Sequence, residues 1–487
     1  MRRAKVVATI GPSSQDEKIL RKLITSGLDV ARLNFSHGTY EDHAEKIFLI
    51  RKLSTELKKA VTILQDLQGP KLRIGTLESP LVLRAGQKVI LSSKDNPPPM
   101  TKSSNNAIFI PMDVPDLEQC VDVGHQILMD DGNLELRITR VSSDEVETEV
   151  ILGGKLSSHK GVNLPGARLT IPGFTEKDEA DLKFGLDNQV DVVAISFVRN
   201  AEDVLKVKKR IQAYKPDKAD LPVIAKIELP DAIANLDEII EAADGVMVAR
   251  GDLGVEMSPS RVPSLQKRII QKANAARKSV ITATQMLESM IHNPRPTRAE
   301  ASDVANAIYD GTDAVMLSGE TASGEYPVES LTMMVSIIEE AEMHYCEWGS
   351  LTHIKGESNR NDAVSITHAA SELARDRDVA AIAVFTLTGK TAQYLAKSRP
   401  SVPILAFTPS IDTMRRMGLL WGTTPYLVPY ATNVETMVKY VDAAILSSTS
   451  IGVGEQVVVV TGFPVGDHRQ PNLALLHTIG ESIQFGL

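Results

Sequence analysis

Short apolar runs rich in Val, Ile and Ala punctuate the chain, each followed by a stretch whose apolar residues recur at helical spacing. The runs are KVVATI (5–10), LDVARLN (28–34), VTILQD (61–66), DVVAISF (191–197), PVIAKIE (222–228), DGVMVA (244–249), SVITAT (279–284) and TDAVMLS (312–318). Near-continuous β-branched runs suit parallel strands buried on both faces. Segments between them, such as EKILRKLIT and SLQKRIIQKANAARK, suit amphipathic crossover helices. Eight strand–helix units predict a (β/α)8 barrel of TIM type, in the α/β class.

More than a hundred residues of different texture separate the third and fourth runs. LVLRAGQKVILSS, NLELRITRV and EVETEVIL alternate apolar and polar positions, with Gly, Pro and Asn between them. This predicts a small β-barrel domain over 70–168, inserted within a barrel spanning 1–69 and 169–344. An insertion after a barrel strand overhangs the mouth where chemistry takes place, so it is expected to act as a mobile lid. A polar run, GSLTHIKGESNRND (349–362), then leads into a C-terminal α/β domain expected over 345–487, with strands VAAIAVF, PILAFT and EQVVVVTG.

Composition narrows the function classes. Among 487 residues, 53 Lys and Arg stand against 62 Asp and Glu, a formal charge of −9, and aromatics make up 4%. An acidic chain with few stacking platforms is not expected to bind nucleic acid or an anionic membrane. Two cysteines, Cys120 and Cys346, make no disulfide framework or metal-ligand spacing, which points to the cytoplasm. The N-terminal MRRAKVVATIGPSS has too short an apolar run for a signal peptide, and no stretch approaches the ~18 apolar residues of a membrane span.

The polar residues gather at the C-terminal ends of the predicted strands. Strand two ends in Arg32, Asn34, Ser36 and His37; strand three in Asp66; strand four in Ser196; strand five in Lys226 and Glu228. Arg250, Gly251 and Asp252 follow strand six, Thr284 ends strand seven, and Ser318 and Glu320 end strand eight. Lys226 and Glu228 are two apart and therefore share the inward face of one strand. On any single strand a buried ion pair would account for such residues. Several strands ending alike favour a site. Glu228 and Asp252 offer two hard oxygen ligands suited to Mg2+, and Lys226 beside them adds a fixed positive charge. Metal, lysine and arginine around one cavity suit a phosphorylated, anionic substrate.

ARLNFSHG (31–38), HKGVNLPG (159–166), ISFVRNAEDV, AKIE (225–228), MVARGDLGVE (247–256), ATQMLESM (283–290) and PTRAEASDVANAIYDGTDAVMLSGETASGEYP (296–327) together resemble the pyruvate kinase family over essentially the whole chain. The resemblance implies transfer of the phosphoryl group of phosphoenolpyruvate to ADP, giving ATP and pyruvate in a homotetrameric cytoplasmic enzyme. It implies that Glu228 and Asp252 bind Mg2+ or Mn2+, that Lys226 stabilises the transferring group and that Arg32 holds the phosphate. Gly251, Asp252 and Thr284 would hold the substrate carboxylate, with Thr284, Ser318 and Glu320 on the path of the incoming proton. Asn34, Phe35, Ser36, His37, Arg73 and Lys160 would contact the nucleotide.

One departure carries information. Potassium-dependent members read DTKGPE after strand three, where this chain reads Asp66-Leu67-Gln68-Gly69-Pro70-Lys71. Leu67 replaces a threonine that helps to ligate K+ alongside Asn34, Ser36 and Asp66, and the segment gains one positive charge. K+ is therefore expected to be dispensable, with the Lys71 ammonium in its place. The alternative is a solvated lysine at the lid hinge.

Thr386-Leu387-Thr388-Gly389-Lys390-Thr391 lies between a predicted strand and helix, but Val384 stands where a Walker motif needs glycine. Its hydroxyls, lysine and helix-start N–H groups suit a phosphate monoester, and in the family this loop binds allosteric sugar phosphates. The later GFPVGDHRQPN lacks the tryptophan of some fructose-1,6-bisphosphate-responsive members, so AMP stands beside sugar phosphates as an effector class. A metal-dependent aldolase and a sugar-phosphate sensor without catalysis are the competing readings. The aldolase has no use for Lys226 and Lys160, and the sensor none for Arg32, Lys226, Glu228, Asp252 and Thr284 together.

Overall fold

A computed structural model describes residues 2–92, 108–114, 117–130, 132–142, 145–167, 172–349, 361–467 and 469–482. The eight predicted runs form eight parallel strands: Lys5–Thr9, Val30–Asn34, Thr62–Asp66, Val192–Ile195, Val223–Ile227, Gly245–Ala249, Ser279–Ala283 and Ala314–Leu317. They close into a barrel in which the first strand pairs with both the second and the eighth. Three of the helices between them open on capping boxes. Thr39, Thr175 and Thr297 each accept from the third backbone N–H of the following helix, whose Asp42, Asp178 or Glu300 returns a bond to the cap.

The inner face of the barrel explains where the chemistry can lie. Val7, Val30, Leu64, Ala194, Ile224, Met247, Ile281 and Met316 fill its middle as one apolar cluster. From below, the segment after helix Ile411–Arg416 stoppers it: Leu419 joins that cluster, and Thr62 Oγ1 donates to Arg415 O at 2.6 Å. Two residues further along the first five strands, on the same inward face, come Thr9, Arg32, Asp66, Ser196 and Lys226. The switch from apolar to polar and charged side chains within one strand step places the site at the open, C-terminal end.

Between the third and fourth barrel strands, seven strands form a second sheet whose terminal strands, Arg73–Ile74 and Val162–Asn163, meet through a bridge from Arg73 to Gly161. Its interior, including Ile74, Leu91, Ile110, Ile127, Leu136 and Val150, forms a cluster separate from that of the barrel. The C-terminal sheet behaves differently. Its strands Ala381–Phe385, Ile404–Thr408, Thr423–Leu427, Gln456–Thr461 and Leu473–Thr478 contribute Ile382, Ile404 and Val458 to the large cluster that packs the barrel helices. Lys397 Nζ reaches Asn274 Oδ1 at 2.7 Å and also Asp313, whose other oxygen pairs with Arg399 at 2.9 Å. Burial outweighs Asp313 and lowers the Lys397 pKa to about 8. One attached unit therefore shares the barrel core and the other packs a core of its own. Of the polar run 349–362, positions 350–360 lie outside the described residues, as do 168–171 at the end of the insert. Cys120 is buried and free. No helix among the described residues is long and apolar enough to cross a membrane.

Candidate active site

Four buried ionisable side chains interlock at the barrel mouth. Arg32 Nε donates to Asp66 Oδ2 at 2.7 Å, and its Nη1 to Thr9 Oγ1 at 2.9 Å. Lys226 Nζ lies 3.4 Å from Asp66 Oδ1 and 2.9 Å from Glu228 Oε1, and it donates to Ser196 Oγ at 2.8 Å. Ser196 Oγ in turn donates to Leu67 O at 2.7 Å, while Phe197 N donates to Glu228 Oε2 at 2.6 Å.

The charges in this cluster are unequally satisfied. Burial opposes the Lys226 ammonium, but Asp66 and Glu228 outweigh it and raise its pKa, so the lysine is always charged. Burial pushes Asp66 up, yet Lys226 and Arg32 together bring it below the usual carboxylate range. Glu228 goes the other way. Burial raises its pKa, Lys226 only partly offsets this, and the nearby Asp252 raises it further. Two cations thus face three carboxylates, and Asp252, which has no ion pair among the described residues, adds to the burial that raises the Glu228 pKa. Glu228 Oε1 is buried without a well-directed hydrogen bond. Two carboxylates that repel one another beside such an atom fit a divalent cation that keeps water and substrate oxygens as its other ligands. No group of three or more His, Cys, Asp or Glu among the described residues offers an all-protein metal cage.

Asp252 and Gly251 belong to the first turn of helix Arg250–Glu256, and Arg250 locks that turn to the end of strand seven. Its guanidinium donates to Thr284 O at 2.8 Å, to Gln285 O at 3.3 Å and to Asp303 Oδ1 at 2.8 Å. The turn needs holding, because Thr284 (φ +68°) and Gln285 (φ +54°) both sit in the left-handed region. For a β-branched threonine this is a strained backbone, costing on the order of 1–3 kcal/mol. Gly251 N donates to Thr284 Oγ1 at 2.8 Å, so two of the groups predicted to hold a carboxylate are already paired.

The remaining predicted residues divide into groups. Asn34, Ser36 and His37 line the loop after strand two, where Ser36 N donates to Asn34 Oδ1 at 3.1 Å. Phe35, in the same loop, is 3% exposed and stacks on His43 with centroids 4.0 Å apart; its side chain lies in the core under the loop. His43 Nε2 is 3.0 Å from His37 O. Arg73 and Lys160 lie on neighbouring segments of the insert; Arg73 donates to His159 O at 3.0 Å, and Lys160 pairs with Asp130 at 2.7 Å. Lys71 joins them, its Cε 3.6 Å from where a Cβ on Gly161 would stand. The imidazole of His37 reports the local field, since burial and then Lys71, Arg73 and Arg32 depress its pKa. Leu67, 1% exposed, is packed in the main core.

Glu320 is buried with both oxygens engaged, accepting from Leu287 N at 3.0 Å and Ser318 N at 2.7 Å. Ser318 Oγ is buried without a hydrogen-bond partner. The loop 386–391 opens helix Lys390–Ser398: Gly389 (φ +83°) donates from its N–H to Thr386 Oγ1 at 3.0 Å, and Thr388 and Lys390 are exposed. Sequence reasoning left two positioning groups unassigned, Thr9 and Arg250. The alternation of strand one, which puts Thr9 on the same face as Val7, was the signal for the first.

Residues 1–331 match the barrel domain of pyruvate kinase, and residues 364–477 match the alpha/beta domain of pyruvate kinase. The chain belongs to the pyruvate kinase family. Pyruvate kinase of Geobacillus stearothermophilus is 43% identical over the whole chain and 82% of its own length. The proteins of the same name from Sporosarcina psychrophila and Staphylococcus epidermidis are 42% and 41% identical, with the same coverage. The chain is accordingly a phosphotransferase, of a family that generally uses Mg2+ and K+.

Proposed function

We propose that the chain moves the phosphoryl group of phosphoenolpyruvate to ADP and protonates the resulting enolate to pyruvate, with the Arg32–Asp66–Lys226–Glu228 cluster as its reacting centre. The observation that carries this is the geometry of the cluster: the Lys226 ammonium set between Asp66 and Glu228, with Glu228 Oε1 buried without a well-directed hydrogen bond. Phosphoryl transfer gives a protein little covalent work, so catalysis is positioning and neutralisation of charge. Asp66 and Ser196 fix the Lys226 ammonium where it meets charge developing on the transferring group. Arg32 is held by Asp66 and Thr9 through Nε and Nη1, and its Nη2, without a hydrogen bond among the described residues, is free to hold the phosphate. Glu228 and Asp252 would hold Mg2+ or Mn2+, which when bound supplies positive charge to the phosphate oxygens.

Thr284 and Gly251 would exchange their mutual hydrogen bond for the substrate carboxylate, alongside the backbone of Asp252. Thr284 and the unpartnered Ser318 hydroxyl then stand as proton carriers, and Glu320, with both oxygens engaged, orients the Ser318 segment. Asn34 to His37, Arg73 and Lys160 would receive ADP, with Phe35 and His43 supporting the loop from beneath. The insert, with a core of its own, would close as a lid and exclude water from the phosphoryl group. A coupled assay for pyruvate with phosphoenolpyruvate, ADP and Mg2+ tests the whole reading; no ADP-dependent pyruvate rejects it. A cytoplasmic homotetramer belongs to the same reading.

K+ is proposed to be dispensable. Leu67 presents buried carbon where a cation would need oxygen, and Lys71, without an ion pair among the described residues, adds its charge to the same region. Replacing K+ by Na+ or tetramethylammonium in the coupled assay is expected to change turnover by no more than about twofold. A loss of roughly tenfold or more assigns Lys71 to the solvated hinge instead. We also assign regulation by a phosphorylated metabolite to the loop 386–391, where Thr388, Lys390 and the helix start converge. A sugar phosphate or AMP should raise the melting temperature, and Lys390→Ala should abolish the rise; silence from all of them removes the effector site.

A further inference from the structure

One side-chain hydrogen bond joins the insert to the helix that carries Asp252. Asn163, in the last strand of the insert, donates from Nδ2 to Glu256 Oε1 at 2.8 Å. Glu256 ends helix Arg250–Glu256, the helix whose first turn holds Gly251 and Asp252 and is bolted to the strained Thr284 turn by Arg250. Asn163 is equally constrained, since its backbone is in register with Leu128 of the neighbouring strand. The Gly132 backbone passes close beside it: a Cβ on Gly132 would stand 3.9 Å from both methyl carbons of Val255. The loop holding Gly132 also contains Asp130, the partner of Lys160.

These contacts converge on one place. The insert has its own core and meets this helix through one hydrogen bond, with the Gly132 backbone passing near Val255, so the join is easily broken. Glu256 has no ion-pair partner among the described residues. Burial raises its pKa, and Asp252 and Asp231 raise it further, leaving the Asn163 amide as the group that favours its ionised form.

We propose that the Asn163–Glu256 hydrogen bond is the latch that holds the insert closed over the mouth, with Glu256 a positioning residue that sets Lys160 for the nucleotide. It deepens the phosphotransfer reading and rests on Lys160 facing ADP. With the latch made, Lys160 and its partner Asp130 are carried to the end of the helix that presents Asp252. With it broken, the same lysine swings with the insert, and the nucleotide phosphates lose a cation while the phosphoenolpyruvate pocket on the barrel keeps its own.

Exchanging the chemistry of the two partners tests this. Asn163→Asp keeps the size of the side chain but sets a second carboxylate against Glu256, and like charges in contact repel. It is expected to raise KM for ADP about tenfold or more while moving KM for phosphoenolpyruvate by less than about twofold. Hydrogen exchange in peptides covering 126–130, 161–167 and 250–257, measured on the full chain without substrates, should accelerate. Adding Glu256→Gln to Asn163→Asp restores one donor and one acceptor, and both readouts should return to within about twofold of the parent. Unchanged exchange in Asn163→Asp, or an exchange rate that the double variant does not restore, overturns the latch. The exchange readout needs no turnover, so it stands even if the coupled assay rejects phosphotransfer; exchange that accelerates in Asn163→Asp and is restored in the double variant, with an unmoved KM for ADP, rejects the placement of Lys160.

Discussion

Lys226→Met is expected to leave a folded protein that forms pyruvate roughly a thousandfold more slowly or worse. The ammonium is the one positive charge of the cluster in contact with both Asp66 and Glu228, and its raised pKa keeps it charged at every assay pH. Removing one partner of a buried ion pair commonly costs about 3–5 kcal/mol, because the other charge is stranded. Here each partner has an outlet. Asp66 keeps Arg32 at 2.7 Å, and Glu228, its pKa already raised by burial and by Asp252, takes up a proton. The loss in stability should therefore fall below that range, with circular dichroism unchanged at the assay temperature. Because Lys226 draws the Glu228 pKa down, its removal sends that pKa further up, and Mg2+ binding should shift to higher pH. Near-normal turnover in this variant would remove Lys226 from the reacting centre.

The parts of this centre were legible in the sequence for a simple physical reason. A barrel strand has a period of two, so the side chains that share the cavity are fixed by parity once the apolar stretch below them is recognised. Leu64 places Asp66, and Ile224 places Lys226. Parity says which way a side chain points but not whether its polar atoms are free. Glu320 and Glu228 look alike in sequence, each an acidic residue just past a strand. In the fold, Glu320 spends both oxygens on backbone N–H groups, whereas Glu228 keeps one without a well-directed bond. Phe35 shows the same limit, since a loop aromatic between polar neighbours gives no sign that His43, eight positions on, will stack over it. Arg250 is a third case: its acceptors lie mostly on the next strand's terminal turn, a distance in sequence that no local pattern spans.

The insert and the C-terminal sheet read in sequence as two comparable attachments, one alternating and one strand–helix. Their mechanical difference comes from packing. Ile382, Ile404 and Val458 join the core of the barrel, while Ile74, Leu91 and Ile127 form a core apart. A unit that shares a core cannot shift without exposing apolar surface; one that does not can hinge at the cost of a few contacts. On the proposed reading, control of closure then lies in the Asn163–Glu256 hydrogen bond, which ties the insert to the helix that carries Asp252.

Glu228→Gln should abolish Mg2+-dependent turnover, by roughly a thousandfold or more, and a stability measurement separates loss of the ion from loss of the fold. The amide oxygen can still accept from Phe197 N, and Lys226 keeps Asp66 and Ser196, so the local frame survives. The sign of the metal-free effect follows from the pKa. A carboxyl group whose folded pKa is raised loses stability as pH rises through that value, because the ionised form is the costly one when buried. Without divalent ions, the variant should therefore match or exceed the parent in melting temperature, and its advantage should grow with pH. Added Mg2+ should reverse the order. The parent gains about 2.7 kcal/mol when the ion stands at ~100-fold its Kd, whereas the variant, with Asp252 alone, gains little. Thermal denaturation with and without Mg2+, repeated from acid to mildly alkaline pH, reads the crossing directly. Equal stabilisation of both proteins by Mg2+ would move the metal away from Glu228, and a metal-free variant less stable than the parent at high pH would mean that Lys226 already satisfies that carboxylate in full.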